Sequence, residues 1–271
     1  MQTIFLPYKN SVICIGVMGN GPELIVCLHG YGESKSSFAL LEKHMEQDYT
    51  CLCIDFPFHG ETKWNDDLLF MQEDFLNILE VSFAKIGFYN KPDFSLLTFS
   101  LGGRLALCLL QTIPVRIKRA VLLAPDGLHV NFWYWLGTQT YFGNKLFYVT
   151  MQKPSWFFAM IKIANKTGLL NKTIVKLVHY YLNDEDGRIL LYKRWSILHK
   201  FKPALSVVKK NIALHKIPVR FVFGMYDRII LDKRSNIFKN DTINVRVTVL
   251  ETGHQLLKEK YVKNIVQQFS K

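Results

Sequence analysis

Residues 94–107 read FSLLTFSLGGRLAL, an apolar, strand-like run that stops at Ser100 and passes through two glycines into a helix-like stretch. A serine held in a sharp turn between a strand and a helix has its hydroxyl exposed above the sheet, as a catalytic nucleophile requires. The same turn directs the N–H of Leu101 toward a developing oxyanion. The usual pattern of such a turn is G-x-S-x-G, and Thr98 stands here in place of the first glycine. A purely structural turn is the alternative interpretation.

The composition is that of a globular protein with a sizeable core, because 49% of the 271 residues are hydrophobic. We expect neither a secretory signal nor a transmembrane helix, since no basic segment precedes an apolar stretch at the N-terminus and no run of about 18 uncharged apolar residues occurs. The five cysteines lie in apolar runs, and their odd number favours buried thiols in a reducing compartment. We therefore expect a cytoplasmic protein.

The positive charge is concentrated in one part of the chain. The net charge is +12, and residues 126–212 hold thirteen Lys or Arg and four Asp or Glu, which gives +9 and leaves +3 for the rest. Such a surface attracts anionic substrates, membrane lipids or nucleic acid, or is simply solvated. No nucleic-acid recognition motif is visible, so we expect no nucleic-acid partner.

The order of elements predicts an α/β fold: a mostly parallel, doubly wound sheet of eight strands. An antiparallel hairpin around Lys9-Asn10 comes first, and helix-like stretches separate six later apolar runs that we expect to be buried on both faces. The predicted strands are Thr3–Tyr8, Val12–Met18, Glu23–His29, Thr50–Phe56, Phe94–Phe99, Arg119–Ala124, Val219–Gly224 and Val245–Leu250, and the helices between and after them are Ser34–Glu46, Asp67–Lys85, Leu101–Thr112 and Tyr261–Phe269.

The alternation of predicted strands and helices stops between residues 126 and 212, where the sequence predicts helices only. Predicted helices are Trp156–Asn165, a second from Asn171 to about Tyr181, a third after Asp184 and a short fourth after Pro203. Because strands resume at Val219, we expect a helical cap at 126–212, inserted in a core of 1–125 and 213–271.

Reactive side chains follow three predicted strands. Because ligands bind at the carboxyl ends of the strands in open α/β sheets, Ser100, Asp227 and His254 are expected to meet. A serine hydroxyl needs a base to take its proton, which is the role predicted for His254. Asp227 would hold the imidazole tautomer and stabilise the imidazolium. Asp126 also follows a strand and is the alternative acid.

The chain resembles the α/β-hydrolase superfamily over essentially its whole length. The matching motifs are H-G-Y-G at 29–32, D-x-P-x-H-G at 55–60, S-L-G-G at 100–103, G-M-Y-D at 224–227 and G-H at 253–254, in the chain order Ser…Asp…His. The resemblance implies an oxyanion hole formed by the backbone N–H groups of Tyr31 and Leu101. Phe58 departs from the common D-x-P-G-H-G loop and is expected to reshape the pocket. We interpret His29 and His59 as structural.

Arg104 has two interpretations. The string S-L-G-G-R-L-A-L resembles the menaquinone-pathway lyase that makes succinyl-hydroxycyclohexadiene-carboxylate, in which the arginine lies close to an anionic substrate. Alternatively, Arg104 pairs with a nearby acid such as Asp126.

Aromatic side chains crowd the first part of the insertion, from Phe132 to Phe158. We expect most of them to form the core of the cap, and Phe132, Trp133 and Trp135 to line the substrate pocket. The aromatic and basic content also suits contact with an anionic membrane surface.

The sequence therefore predicts a cofactor-free serine hydrolase, without a metal, that cleaves a small-molecule ester or thioester with an apolar part. The alternatives are a lyase of the menaquinone-pathway type and a non-catalytic binding protein with a hydrolase fold. We expect a monomer or a homodimer.

Overall fold

The computed structural model describes residues 1–90, 92–167, 182–239 and 244–269. Its eight strands form one sheet in the order β1-β2-β4-β3-β5-β6-β7-β8, and among them β2 alone runs antiparallel to the others. The strands are β1 Gln2–Tyr8, β2 Ser11–Met18, β3 Glu23–Leu28, β4 Tyr49–Ile54, β5 Phe94–Phe99, β6 Ile117–Leu123, β7 Val219–Gly224 and β8 Val245–Leu250. The predicted fold class is confirmed, and so is the N-terminal hairpin at Lys9-Asn10.

Helices follow most of the strands along the chain. The α-helices are α1 Glu42–Met45, α2 Gln72–Lys85, α3 Leu101–Thr112, α4 Phe132–Gln139, α5 Tyr141–Gln152, α6 Ser155–Lys166, α7 Glu185–Ile197, α8 Leu205–Leu214, α9 Asn236–Lys239 and α10 Val262–Gln267. Short 3-10 helices cover Lys35–Leu41, Pro114–Arg116, Asp232–Ser235 and Glu259–Tyr261. The predicted helix from Asn171 to about Tyr181 lies outside the described residues.

The central strands are buried on both faces, as predicted, but β8 is not. Every residue of β5 is buried, whereas each residue of β8 keeps part of its surface exposed. The expectation for Val245–Leu250 is wrong because β8 is the edge of the sheet and pairs only with β7. The cysteines behave as predicted: Cys14, Cys27, Cys51, Cys53 and Cys108 are all buried and unbridged.

The chain divides into two compact units, one of Met1–His129 with Lys200–Lys271 and one of Val130–His199. The second unit is shorter than the predicted insertion of 126–212, since α8 packs against α3 in the first unit. The Asn211 amide donates to the carbonyls of Leu110 and Gln111, both at 3.0 Å, and Val208 and Ile212 are fully buried. That the second unit acts as a cap stays a prediction.

The second unit contains two helices that the sequence pattern did not predict, α4 and α5. Each begins at a polar cap: Asn131 Oδ1 accepts from the N–H of Trp133, and Thr140 Oγ1 accepts from the N–H of Gly143. These caps are the signal that could have revealed them. A buried arginine ties the unit together, because the Arg188 guanidinium donates to the carbonyls of Met151 and Leu182.

The prediction that most aromatic side chains between Phe132 and Phe158 form a core is wrong. Seven of them are exposed and the other four are half-buried. The exposed ones are Phe132, Trp133, Trp135, Tyr141, Phe142, Tyr148 and Trp156. Only some of the aromatic rings pack inside the second unit. Among these, Tyr134 packs on Trp195, and Phe147 packs on Tyr192 and Trp195. No helix in the described ranges is both long and apolar enough to cross a membrane.

Candidate active site

Ser100 stands in a strained turn between β5 and α3. Its φ of 49° and ψ of −111° are unusual for a residue with a Cβ, and such strain is common at functional positions. Two bonds hold the turn: Ser100 N–H donates to the Leu123 carbonyl (2.9 Å), and Asp126 N–H donates to the Ser100 carbonyl (2.8 Å). The serine is therefore fixed above the ends of the central strands.

The two glycines after Ser100 let α3 approach the sheet closely. A Cβ on Gly102 would lie 2.0 Å from the Leu28 carbonyl oxygen, and one on Gly103 would lie 2.3 Å from Pro125 Cβ. The position usually occupied by glycine holds Thr98, which is fully buried, and its hydroxyl has no hydrogen-bond partner in the described structure. The turn accommodates this bulk without losing either bond that anchors Ser100.

Ser100, His254 and Asp227 form one hydrogen-bonded chain. His254 Nε2 lies 2.9 Å from Ser100 Oγ, and His254 Nδ1 lies 2.7 Å from Asp227 Oδ2. The other carboxylate oxygen, Asp227 Oδ1, accepts the N–H groups of Ile229 (2.7 Å) and Ile230 (2.9 Å). Since a carboxylate only accepts, His254 carries its proton on Nδ1, and Nε2 is able to accept the Ser100 proton.

The alternative acid, Asp126, makes different contacts. One of its oxygens pairs with the Arg104 guanidinium, and the other accepts the Gly127 N–H at 2.6 Å. The acid that bonds to His254 is therefore Asp227. The structure pairs Arg104 with Asp126, which is one of the two interpretations that the sequence offers for Arg104.

The two predicted oxyanion donors lie in segments that the fold holds in place. Leu101 is the first residue of α3, so its N–H stands at the positive end of the helix dipole. Tyr31 lies in the loop after β3, which His29 connects to the loop after β4. His29 Nδ1 is 2.8 Å from the Gly30 carbonyl, and its Nε2 accepts the Phe56 N–H at 3.2 Å. These two bonds place the His29 proton on Nδ1, and they fit the structural role predicted for His29.

Phe58 adopts a left-handed conformation, with a φ of 62°. A glycine would adopt this conformation without cost, whereas a side chain costs about 1 kcal/mol or more. The next loop residue, His59, is buried, and its Nδ1 lies 2.9 Å from the Pro57 carbonyl. The loop thus holds a phenylalanine in a left-handed conformation at the position where the family motif has glycine.

Sequence reasoning missed two residues that support the site. The Gln255 amide donates to Glu33 Oε1 at 2.7 Å, and Glu33 Oε2 accepts the Gly30 N–H at 3.4 Å. This bridge joins the loop of Tyr31 to the residue after His254. Neither residue belongs to a motif, and they lie far apart in the chain, so no sequence signal pairs them. The Phe99 ring also packs on the His254 ring, with centroids 5.2 Å apart.

One group in the described residues could offer three ligands to a metal: Cys14, Asp55 and Glu61, whose ligand atoms all lie within 4.8 Å of one another. The Lys35 ammonium pairs with Glu61 and lies 3.7 Å from Asp55 Oδ2, so it supplies the positive charge. Burial raises the pKa of the Cys14 thiol to about 11, which keeps it protonated at neutral pH. The group fits a lysine–carboxylate network better than a metal centre.

Comparisons with known proteins identify the family of this chain. A family model described as alpha/beta hydrolase fold matches residues 23–261. The monoacylglycerol lipase ABHD6 of Homo sapiens is 21% identical over 277 aligned positions, covering 96% of this chain and 79% of the lipase. A Bacillus subtilis (strain 168) protein with the provisional name 2-succinyl-6-hydroxy-2,4-cyclohexadiene-1-carboxylate synthase is 32% identical over 105 positions, 38% of this chain and 36% of that protein. The structure of MGS-M2, an alpha/beta hydrolase from a Medee basin deep-sea metagenome library, superposes with a TM-score of 0.70 at 14% identity, covering 99% and 98% of the two chains.

Proposed function

Because this chain is an enzyme of the alpha/beta hydrolase fold family, we propose that it cleaves a carboxylic ester or thioester with an apolar part, through the triad Ser100, His254 and Asp227. The observation that carries the proposal is the chain of two hydrogen bonds, 2.9 Å from Ser100 Oγ to His254 Nε2 and 2.7 Å from His254 Nδ1 to Asp227 Oδ2. This is the arrangement that activates a serine hydroxyl.

The reaction begins with attack of Ser100 Oγ on the carbonyl carbon, while His254 Nε2 takes the hydroxyl proton. The carbonyl oxygen becomes an oxyanion, which the N–H groups of Leu101 and Tyr31 stabilise. Asp227 holds the imidazolium. When the tetrahedral intermediate collapses, the bond to the alcohol or thiol breaks, and His254 Nε2 gives its proton to the leaving group.

The acyl-enzyme on Ser100 is then hydrolysed. His254 Nε2 takes a proton from water, the hydroxide oxygen attacks the acyl carbon, and the same N–H groups bind the second oxyanion. Collapse releases the carboxylic acid and returns the proton to Ser100 Oγ. This reaction scheme uses no cofactor. The proposed enzyme is cytoplasmic.

Hydrolysis of p-nitrophenyl esters from acetate to laurate tests the proposal. We expect Ser100→Ala to lower the turnover by about 10³-fold or more, because it removes the nucleophile. The matched control is Ser34→Ala, in the loop after β3, where the exposed serine hydroxyl lies 2.7 Å from Ser36 Oγ. Its turnover should stay within a few-fold of wild type. Equal turnover by wild type and Ser100→Ala would contradict the proposal.

A second candidate is lyase chemistry on an anionic substrate with the same triad. It is favoured by the 32% identity to the Bacillus subtilis protein over 105 positions and by Arg104, one helical turn after Ser100. In this case Arg104→Gln should lower turnover of an anionic substrate and leave neutral esters unaffected. Equal loss on both kinds of substrate would instead indicate that the Arg104–Asp126 pair is structural.

A further inference from the structure

The outer face of helix α5 is apolar, although it faces solvent. Tyr141, Phe142, Leu146 and Val149 are exposed, and Phe142, with 82% of its surface accessible, is the extreme case. Residues at these spacings lie on one side of an α-helix. A helix on the surface of a globular protein normally has polar residues on its solvent-exposed side, whereas this side of α5 is mainly apolar.

The core of the second unit does not need this face. The opposite side of α5 carries Phe147, which packs on Tyr192 and Trp195 of α7, with centroids 5.3 Å and 5.5 Å away. Thr150 and Met151 on that side are buried. The outer side chains are therefore available for a contact outside the unit.

The charge around the face identifies the kind of surface that would cover it. Lys145 lies within the face, and Lys153 follows the end of α5; both are exposed. Helix α5 itself contains no Asp or Glu. A second copy of the chain meeting this face across a two-fold axis would bring the Lys145 side chains of the two copies toward each other, with no carboxylate on either α5 helix to pair them. An anionic lipid surface has both the apolar layer and the negative charge.

We propose that the outer face of α5 (Tyr141, Phe142, Leu146 and Val149, with Lys145 and Lys153) binds the surface of an anionic lipid bilayer. The apolar side chains enter the boundary between headgroups and acyl chains. The lysine stems lie along the apolar surface, and their ammonium groups reach the lipid phosphates. The inference goes beyond the proposed hydrolysis and does not depend on it.

Co-sedimentation with vesicles tests the proposal without any ester. The probes are vesicles of phosphatidylcholine alone and of phosphatidylcholine with phosphatidylglycerol. We expect wild type to bind the anionic vesicles, and Phe142→Ser to weaken this binding at least about 10-fold. The matched control is Phe5→Ser, since Phe5 is also an exposed phenylalanine but lies on β1 in the other unit; it should bind as wild type.

Two further arms make the result decisive. The double variant Lys145→Gln/Lys153→Gln should lose about 30-fold in affinity for the anionic vesicles, because each lysine near a charged surface contributes roughly fivefold. Leu146→Ser should weaken binding as Phe142→Ser does, and circular dichroism shows whether each variant is folded. The proposal is overturned if the wild-type protein does not bind anionic vesicles, or if the folded variants Phe142→Ser and Leu146→Ser bind them as well as wild type does. It is also overturned if analytical ultracentrifugation shows a dimer that requires Phe142.

Discussion

The substitution Asp227→Asn isolates the protonation of His254 from its position. Asp227 Oδ1 accepts two backbone N–H groups, from Ile229 and Ile230, at 2.7 Å and 2.9 Å. An asparagine satisfies both donors only with its carbonyl oxygen on that side, so its NH₂ group must face His254 Nδ1. His254 then accepts through Nδ1 and carries its proton on Nε2, the atom that lies 2.9 Å from Ser100 Oγ.

In this tautomer His254 cannot take the Ser100 proton. We therefore expect kcat for ester hydrolysis to fall by about 10⁴-fold, which corresponds to roughly 5.5 kcal/mol on the barrier. The fold should tolerate the change, because the side chain keeps its size and both backbone bonds. We expect the free energy of unfolding to fall by no more than about 2 kcal/mol.

The assay is kcat from initial rates on the best p-nitrophenyl ester, with urea unfolding as the check on stability. Asp126→Asn is the matched control, since Asp126 also follows a strand but pairs with Arg104. It should keep kcat within about 10-fold of wild type. The reasoning is refuted if Asp227→Asn retains a tenth or more of the wild-type kcat, or if Asp126→Asn causes the larger loss.

Two further predictions concern stability. Gly102→Ala should lower the free energy of unfolding, measured in urea, by about 3 kcal/mol, because the new Cβ would lie 2.0 Å from the Leu28 carbonyl oxygen. In the control Gly253→Ala the new Cβ meets nothing within 4 Å, so the free energy of unfolding should change by less than about 1 kcal/mol. Equal stability of the two variants would contradict this. Burial raises the pKa of Asp74, but hydrogen bonds led by that from Lys9 outweigh it and lower the net pKa. The ionised carboxylate thus stabilises the fold above about pH 4, and this contribution is lost as the pH falls through the folded-state pKa. The stability difference between wild type and Asp74→Asn should therefore shrink in acid, and a difference that does not change between neutral pH and pH 3 would show that Asp74 does not stabilise the fold through its charge.

The fold was predictable because its signals are local. Each parallel strand is a short apolar run, and each ends at a glycine-rich or polar loop, so the positions of Ser100, Asp227 and His254 followed from the order of elements. Whether a strand is central or at the edge is a property of the whole sheet, and this is why the exposure of β8 was not foreseen.

The parts of the site that escaped prediction depend on side-chain contacts between distant segments. The Glu33–Gln255 bridge has no pattern in the chain, and the left-handed conformation of Phe58 shows only as a departure from a family motif. The aromatic residues of α4 and α5 were expected in a core because apolar residues usually are buried. A small helical unit has too little interior for all of them, and that limit is visible only in three dimensions.

The central claim is that His254 activates Ser100, and covalent labelling with a fluorophosphonate, read by intact mass, tests it most directly. The account predicts one adduct on wild type, none on Ser100→Ala, and labelling of His254→Ala slowed by about 10³-fold or more. A wild-type protein that stays unlabelled, or an adduct that persists on Ser100→Ala, would contradict it.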